Sequence, residues 1–228
     1  MTTDSQLSIF SNISHDGLNF CCKVYELFEE IRNSEGGKER LRMRTSNLEK
    51  RLIEELLPIC KYVQTNYRAG RYISVKWING SQQFDAELNQ SGYYIDKNYF
   101  PSTSYIEVTC IMHPNEYLSR ELINTDGYAF GLDGLKREKD RKITSIPVSH
   151  SNFDFIDTYC QLVIDGIFKK SEIQYPADTS LVVQCFLNTL YTPDEWRKLC
   201  DEVRGKLPNH NFREIFIYDS VCEYSATL

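Results

Sequence analysis

A C-x-x-C pair is missing from this chain, and so is any group of histidines at metal-ligand spacing. Eight cysteines (21, 22, 60, 110, 160, 185, 200 and 222) are scattered, mostly within apolar periodic segments, and only four histidines accompany them. The pattern reads as small buried hydrophobes in a reducing cytoplasm, not as a disulfide framework or a zinc site. No 18-residue uncharged apolar run occurs, so neither a spanning helix nor a membrane partner is expected. The start, MTTDSQLSIF, lacks a basic stretch followed by an apolar one, so no secretory signal is expected. Phosphate-cradling and serine-hydrolase signatures (G-x-x-x-x-G-K-[ST], G-x-G-x-x-G, G-x-S-x-G) are also lacking. A basic excess is missing too. The net charge of −6 confines any nucleic-acid contact to a local patch on an acidic background.

Apolar and aromatic residues are plentiful. The chain is 41% hydrophobic, with 15 Tyr and 12 Phe in 228 residues, enough to build a core. Leu18, Cys21, Tyr25, Phe28 and Ile31 recur at helical spacing and predict a helix over roughly 15–32. SEGGKERLRMR then reads as a solvated basic connection, so residues 1–45 form a lead and 46–228 the main α/β domain, expected to be one compact body. Ser46 with Glu49 is a capping box opening a helix to about Arg68, which Pro58 would kink. The same signal recurs at Ser151–Asp154 and Thr192–Glu195.

Between the helices, alternation marks strands. Ile73, Val75 and Trp77 alternate with Ser74 and Lys76, and Asn79-Gly80 predicts a tight turn of two or four residues. Phe84, Ala86 and Leu88 then alternate with Asp85 and Glu87, and Ile106, Val108 and Cys110 with Glu107 and Thr109. SLVVQCFL (180–187) and REIFIYDSV (213–221) read as buried strands. The fold class expected is α/β, a mixed central sheet flanked by helices. Trp77 and Trp196 are read as core, His113 as a loop or cap residue, and GYAFGLDGLK (127–136) as a loop.

The alternation puts Asp85 and Glu87 on one strand face and Glu107 with Thr109 on another. If the apolar faces share a core, the three acids converge, and an even hairpin loop brings Lys76 among them. Converging carboxylates repel one another unless a proton or cation intervenes, and their chemical use is an oxygen-rich Mg²⁺ or Mn²⁺ site. The competing reading is an ordinary solvated face.

The order of elements resembles the PD-(D/E)XK nuclease superfamily, with the restriction-endonuclease-like fold, over about residues 46–219. In FDAEL, Asp85 matches the family aspartate, and in YIEVTC, Glu107 matches its glutamate. Glu55, at the margin of the stripe set by Leu52 and Ile59, is the better match to the family's helix glutamate, since Glu54 points away. The resemblance implies metal-dependent phosphodiester hydrolysis of DNA. Asp85 and Glu107 would be Mg²⁺ ligands, with Glu87 beside them and Glu55 acting through water. The chain departs from the pattern at the family's lysine position, which is Thr109. Three explanations stand. The lysine has moved, with Lys76 the geometric candidate and Arg120 a weaker one. The Thr109 hydroxyl orients water. Or catalysis is lost, leaving a module that binds protein or nucleic acid. An acidic protein–protein adaptor is the reading outside this fold.

Overall fold

The computed structural model describes residues 6–80, 82–149, 151–186, 192–221 and 224–228, with the side chains of 152 and 153 not described. Its centre is a seven-stranded mixed sheet built from β1 (Ser14–Asp16), β2 (Tyr72–Trp77), β3 (Ala86–Ser91), β4 (Thr103–Met112), β7 (Thr179–Phe186), β8 (Glu214–Asp219) and β9 (Ser225–Thr227). They lie side by side in that order. β4, β7 and β8 are mutually parallel, while the other pairs are antiparallel. A small hairpin of β5 (Leu135–Arg137) and β6 (Ile143–Ser145) stands apart, and KREKDRK spans it at the surface.

One face of the sheet is covered by α1 (Gly17–Asn33) and a long helix, α3 (47–66). Phe20, Val24 and Ile31 of α1 join Leu52, Ile59 and Val63 of α3 over Val75, Leu88 and Ile106. The 1–45 lead thus contributes to the same core as the rest. The basic connection is itself helical, α2 (Gly37–Met43), and Arg42 on it hydrogen-bonds Asn124. Short helices α4 (Tyr93–Asp96) and α5 (Glu116–Thr125) follow later in the chain. On the opposite face lie α6 (Asn152–Ser171) and α7 (Pro193–Gly205), whose Val163, Ile167 and Leu199 cover Leu181, Val183 and Ile217. These two helices are the crossovers that parallel pairing of β4, β7 and β8 requires.

All three capping boxes form, each with its serine or threonine and its carboxylate engaged reciprocally. α3 differs from expectation in one respect. It runs as Asn47–Arg51, a π turn at Leu52–Leu56, then Leu57–Asn66. Pro58 lies directly after the wide turn, where its missing N–H costs little, and the excess residue appears where a kink was expected. The hairpin also departs from expectation. Trp77 pairs with Ala86, and the Ile78 N–H donates to Asp85 O at 2.8 Å, leaving 79–84 as a six-residue loop. Leu187, expected at the end of a strand, and Cys222 lie outside the described residues.

Seven cysteines are free thiols, five of them buried, and Trp77 and Trp196 sit in the core. Among the described residues no helix is long and apolar enough to cross a membrane.

Candidate active site

Asp85 stands where β3 begins to part from β4. Its N–H donates to Ile106 O at 2.8 Å, and its Oδ2 accepts the Val108 N–H at 2.8 Å. The side chain therefore replaces a carbonyl in the ladder, which fixes it at the seam between the strands. Ala86 pairs with Ile106, and continuing that register by one residue sets Asp85 opposite Glu107. Glu107 is buried in mid-strand, its side chain on the α6 side because its neighbours Ile106 and Val108 face α3.

The cation beside Glu107 is Lys170, on the last turn of α6, whose Nζ is ion-paired with Glu107 Oε1. Sequence reading missed it. The signal was there: Ile156, Tyr159, Val163 and Ile167 are the buried stripe of α6, and position 170 is the next step along it. A lysine on an otherwise apolar stripe has to meet an anion or leave the core.

Glu55, on the π turn of α3, approaches from the opposite face. Trp77 Nε1 donates to its Oε2 at 3.1 Å, and Arg51 one turn earlier pairs with its Oε1. Glu54 is not free in solvent but binds the buried Arg44 at 2.5 Å.

Burial and mutual repulsion set the protonation of these acids. Burial first, then the Glu107 charge, pushes the Asp85 carboxyl up to about 6, against the opposing pull of the Val108 N–H and Lys170. Burial and then Asp85 raise Glu55, and burial raises Glu107 although Lys170 counters it. Burial and then the neighbouring Glu107 charge raise the Tyr175 hydroxyl in turn. Three carboxyls thus share one field, with one lysine and one arginine opposing it.

The other expected residues lie elsewhere. Lys76 pairs in register with Glu87, their charges 3.9 Å apart, instead of with Gln83 or Asp85, because the hairpin loop is longer than two or four residues. Glu87 is held by Asn89 Nδ2 at 3.0 Å on the open face of the sheet. Asp85, Glu107 and Glu55 act on one another, while the contacts of Glu87 are with Asn89 and Lys76. Arg120 is tied to Glu116 at 2.9 Å and lies against Met112, at the far end of β4. Thr109 lines a shallow pocket of about 290 Å³ with Gly166, Lys169 and Lys170. His113 is a loop tie, joined to Asp133 at 3.0 Å and capping Asn115 N.

Among the described residues, no three His, Cys, Asp or Glu side chains form a ready cage for a metal ion. Two carboxylates are available, Asp85, engaged through Oδ2, and Glu107, engaged through Oε1. Mg²⁺ is commonly held through one or two carboxylates while keeping several waters, so this donor set fits a hydrated ion. Neither a protein-family model, nor a curated protein sequence, nor a solved structure matches this chain.

Proposed function

We propose that this chain is a metal-dependent phosphodiester hydrolase acting on DNA, with a restriction-endonuclease-like arrangement of its sheet. The observation that carries the reading is the placement of Asp85, at the head of β3, opposite Glu107 of the neighbouring β4, with the Lys170 ammonium against Glu107. The lysine has moved from the strand position now held by Thr109 to the crossover helix. Asp85 and Glu107 would hold Mg²⁺ or Mn²⁺, and that ion would polarise a phosphoryl oxygen and acidify a bound water. Lys170, already at the carboxylates, supplies positive charge where a phosphorane-like state would gather negative charge. The buried, raised Asp85 is poised to bind a cation in place of a proton, because either one relieves its repulsion with Glu107.

Glu55 serves as a positioning residue, held by Trp77 and Arg51 at the back of the pair. Thr109, beside Lys170 in the same pocket, offers a hydroxyl to a water or a phosphate oxygen. The test is cleavage of single- and double-stranded DNA with Mg²⁺ or Mn²⁺, comparing the parent with Asp85→Ala, Glu107→Ala and Lys170→Met. Cleavage lost in all three supports the reading. Cleavage unaffected by Asp85→Ala and Glu107→Ala overturns it. A chain that binds without cutting is the second reading, favoured by the net charge of −6.

A further inference from the structure

A second feature lies at the other end of β3, six residues and roughly 20 Å from Asp85 at the strand rise of about 3.4 Å. There the chain packs a series of aromatic rings, T-shaped or tilted against one another. Tyr93 meets Tyr94 at 5.7 Å, and Tyr94 meets Tyr99 at 6.0 Å and Phe100 at 6.5 Å between centroids. Tyr93 and Tyr99 are 59% and 63% exposed, so these large rings face water. The loop is not held loosely. Gly70 (φ 83°) and Gly92 (φ 105°) approach so closely that a Cβ on Gly92 would lie 2.9 Å from Gly70 O, and that oxygen accepts the Tyr94 N–H at 2.9 Å.

Cations lie over these rings. Lys97 Nζ is 5.9 Å from the Tyr93 centroid, and Arg68 is 5.4 Å from Tyr94. Three guanidinium groups surround Phe100: Arg71 at 3.7 Å, Arg68 at 5.7 Å and Arg213 at 5.8 Å. Arg213 has a carboxylate partner, Asp178 at 3.0 Å. Among the described residues no carboxylate pairs with Arg68, Arg71 or Lys97. Arg71 is 2% exposed, and its hydrogen bonds go to two neutral amides, Gln90 and Asn66, at 2.8 Å each. Arg71 is thus a nearly buried guanidinium held by rings and amides, and Arg68 and Lys97 beside it are exposed.

From this cluster the uncovered face of the sheet leads back towards the carboxylates. Tyr72, Ser74 and Lys76 of β2 lie beside Asn89 and Ser91 of β3, all wholly or partly exposed. The path is polar, with no aliphatic anchor of the kind a protein interface buries at its centre.

We propose that the Tyr93–Phe100 cluster is a binding platform for single-stranded nucleic acid, with bases stacked on the exposed tyrosines and phosphates met by Arg68 and Lys97. Flat rings accept any base, and unpaired cations complement phosphate, which is the recognition chemistry of sequence-tolerant single-strand binders. The platform does not depend on cleavage and works with or without a competent metal site.

The test is fluorescence anisotropy of a labelled oligothymidylate titrated with the full chain in EDTA. The expected result is saturable binding that weakens as salt rises. Tyr93→Ala/Tyr99→Ala and Arg68→Ala should each weaken it by about tenfold or more, with circular dichroism unchanged. An oligomer of abasic residues with equal charge should bind as weakly as the tyrosine variant. Binding is read in EDTA, without any divalent ion, so failure of the hydrolase reading leaves this result standing. No binding up to about 100 μM, binding unaffected by the variants, or equal binding of the abasic oligomer overturns the proposal. Capture of a protein by the parent but not by the tyrosine variant, without oligonucleotide binding, also overturns it.

Discussion

Lys170 and Glu107 are ion-paired although 63 positions separate them in the chain. The contact joins the last turn of the crossover helix to the middle of the strand it follows, and it places a cation on the carboxylate side of the sheet. A lysine two residues further along β4 would reach the same face by strand alternation. One from α6 reaches it only once β4 and β7 have paired in parallel around the crossover.

Lys170→Met should reduce metal-dependent cleavage by about 10²–10³, the range for removing one preorganised charge from a reacting site. Lys76→Ala, which removes only the exposed pair with Glu87, should leave cleavage within about twofold. Steady-state rates of the two variants on one substrate check both outcomes.

Asp85 makes stability depend on pH in a definite direction. Its folded pKa, about 6, lies above the ordinary carboxylate value, so the native state binds the proton more tightly than the unfolded chain. Without metal, its penalty is absent below about pH 4, grows between about 4 and 6, and is complete above about 6. Asp85→Asn keeps an oxygen for the Val108 N–H but carries no charge. It should therefore be more stable than the parent at pH 7 by about 1–3 kcal/mol, and the gain should vanish near pH 4. Thermal melts in EDTA across this range measure the difference.

Divalent ions should reverse that order. A cation bound by Asp85 and Glu107 stabilises only the folded chain, so Mg²⁺ or Mn²⁺ should raise the parent's melting temperature and leave Asp85→Asn nearly unmoved. Cleavage by the parent should rise with pH through about 6, as Asp85 gives up its proton. Melting curves with and without Mn²⁺, and a pH–rate profile, test the pair of statements.

Trp77→Phe should destabilise the chain by about 1–3 kcal/mol from the lost donor alone, since the part-buried Glu55 Oε2 receives the indole N–H. Chemical denaturation of the variant against the parent gives the value.

Much of this architecture was legible in the sequence. Ser46, Ser151 and Thr192 announced three helices, because a capping box is written within four consecutive residues. Alternation along 84–88 and 106–110 put Asp85 and Glu107 on neighbouring strands; β3 begins one residue later, at Ala86, and Asp85 stands at its head opposite Glu107 of β4. The failures were of longer range. Hairpin register depends on loop length, and the Asn-Gly pair suggested a tighter turn than the six residues that form, which moved Lys76 from Asp85 to Glu87. β1 and β9, three residues each, and the seven-residue α2 are too short for periodicity to register. Lys170 was hidden for another reason. Its position on the α6 stripe was readable, but its partner is chosen by strand pairing, which no local pattern records.

The π turn at Leu52–Leu56 gives α3 one residue more than an α-helix of the same rise would hold. Each residue of an α-helix turns the next by about 100°, so the surplus rotates everything before it relative to everything after it. Packing around Ile59 is not what it adjusts, since Ile59 and Val63 already face the sheet. What it adjusts is phase: the acid at position 55 is dialled round to the indole of Trp77 while Leu52 and Leu56 keep their places in the core. Shortening this segment by one residue would force a choice between the oily contacts and the acid's orientation, and the helix as built makes no such choice.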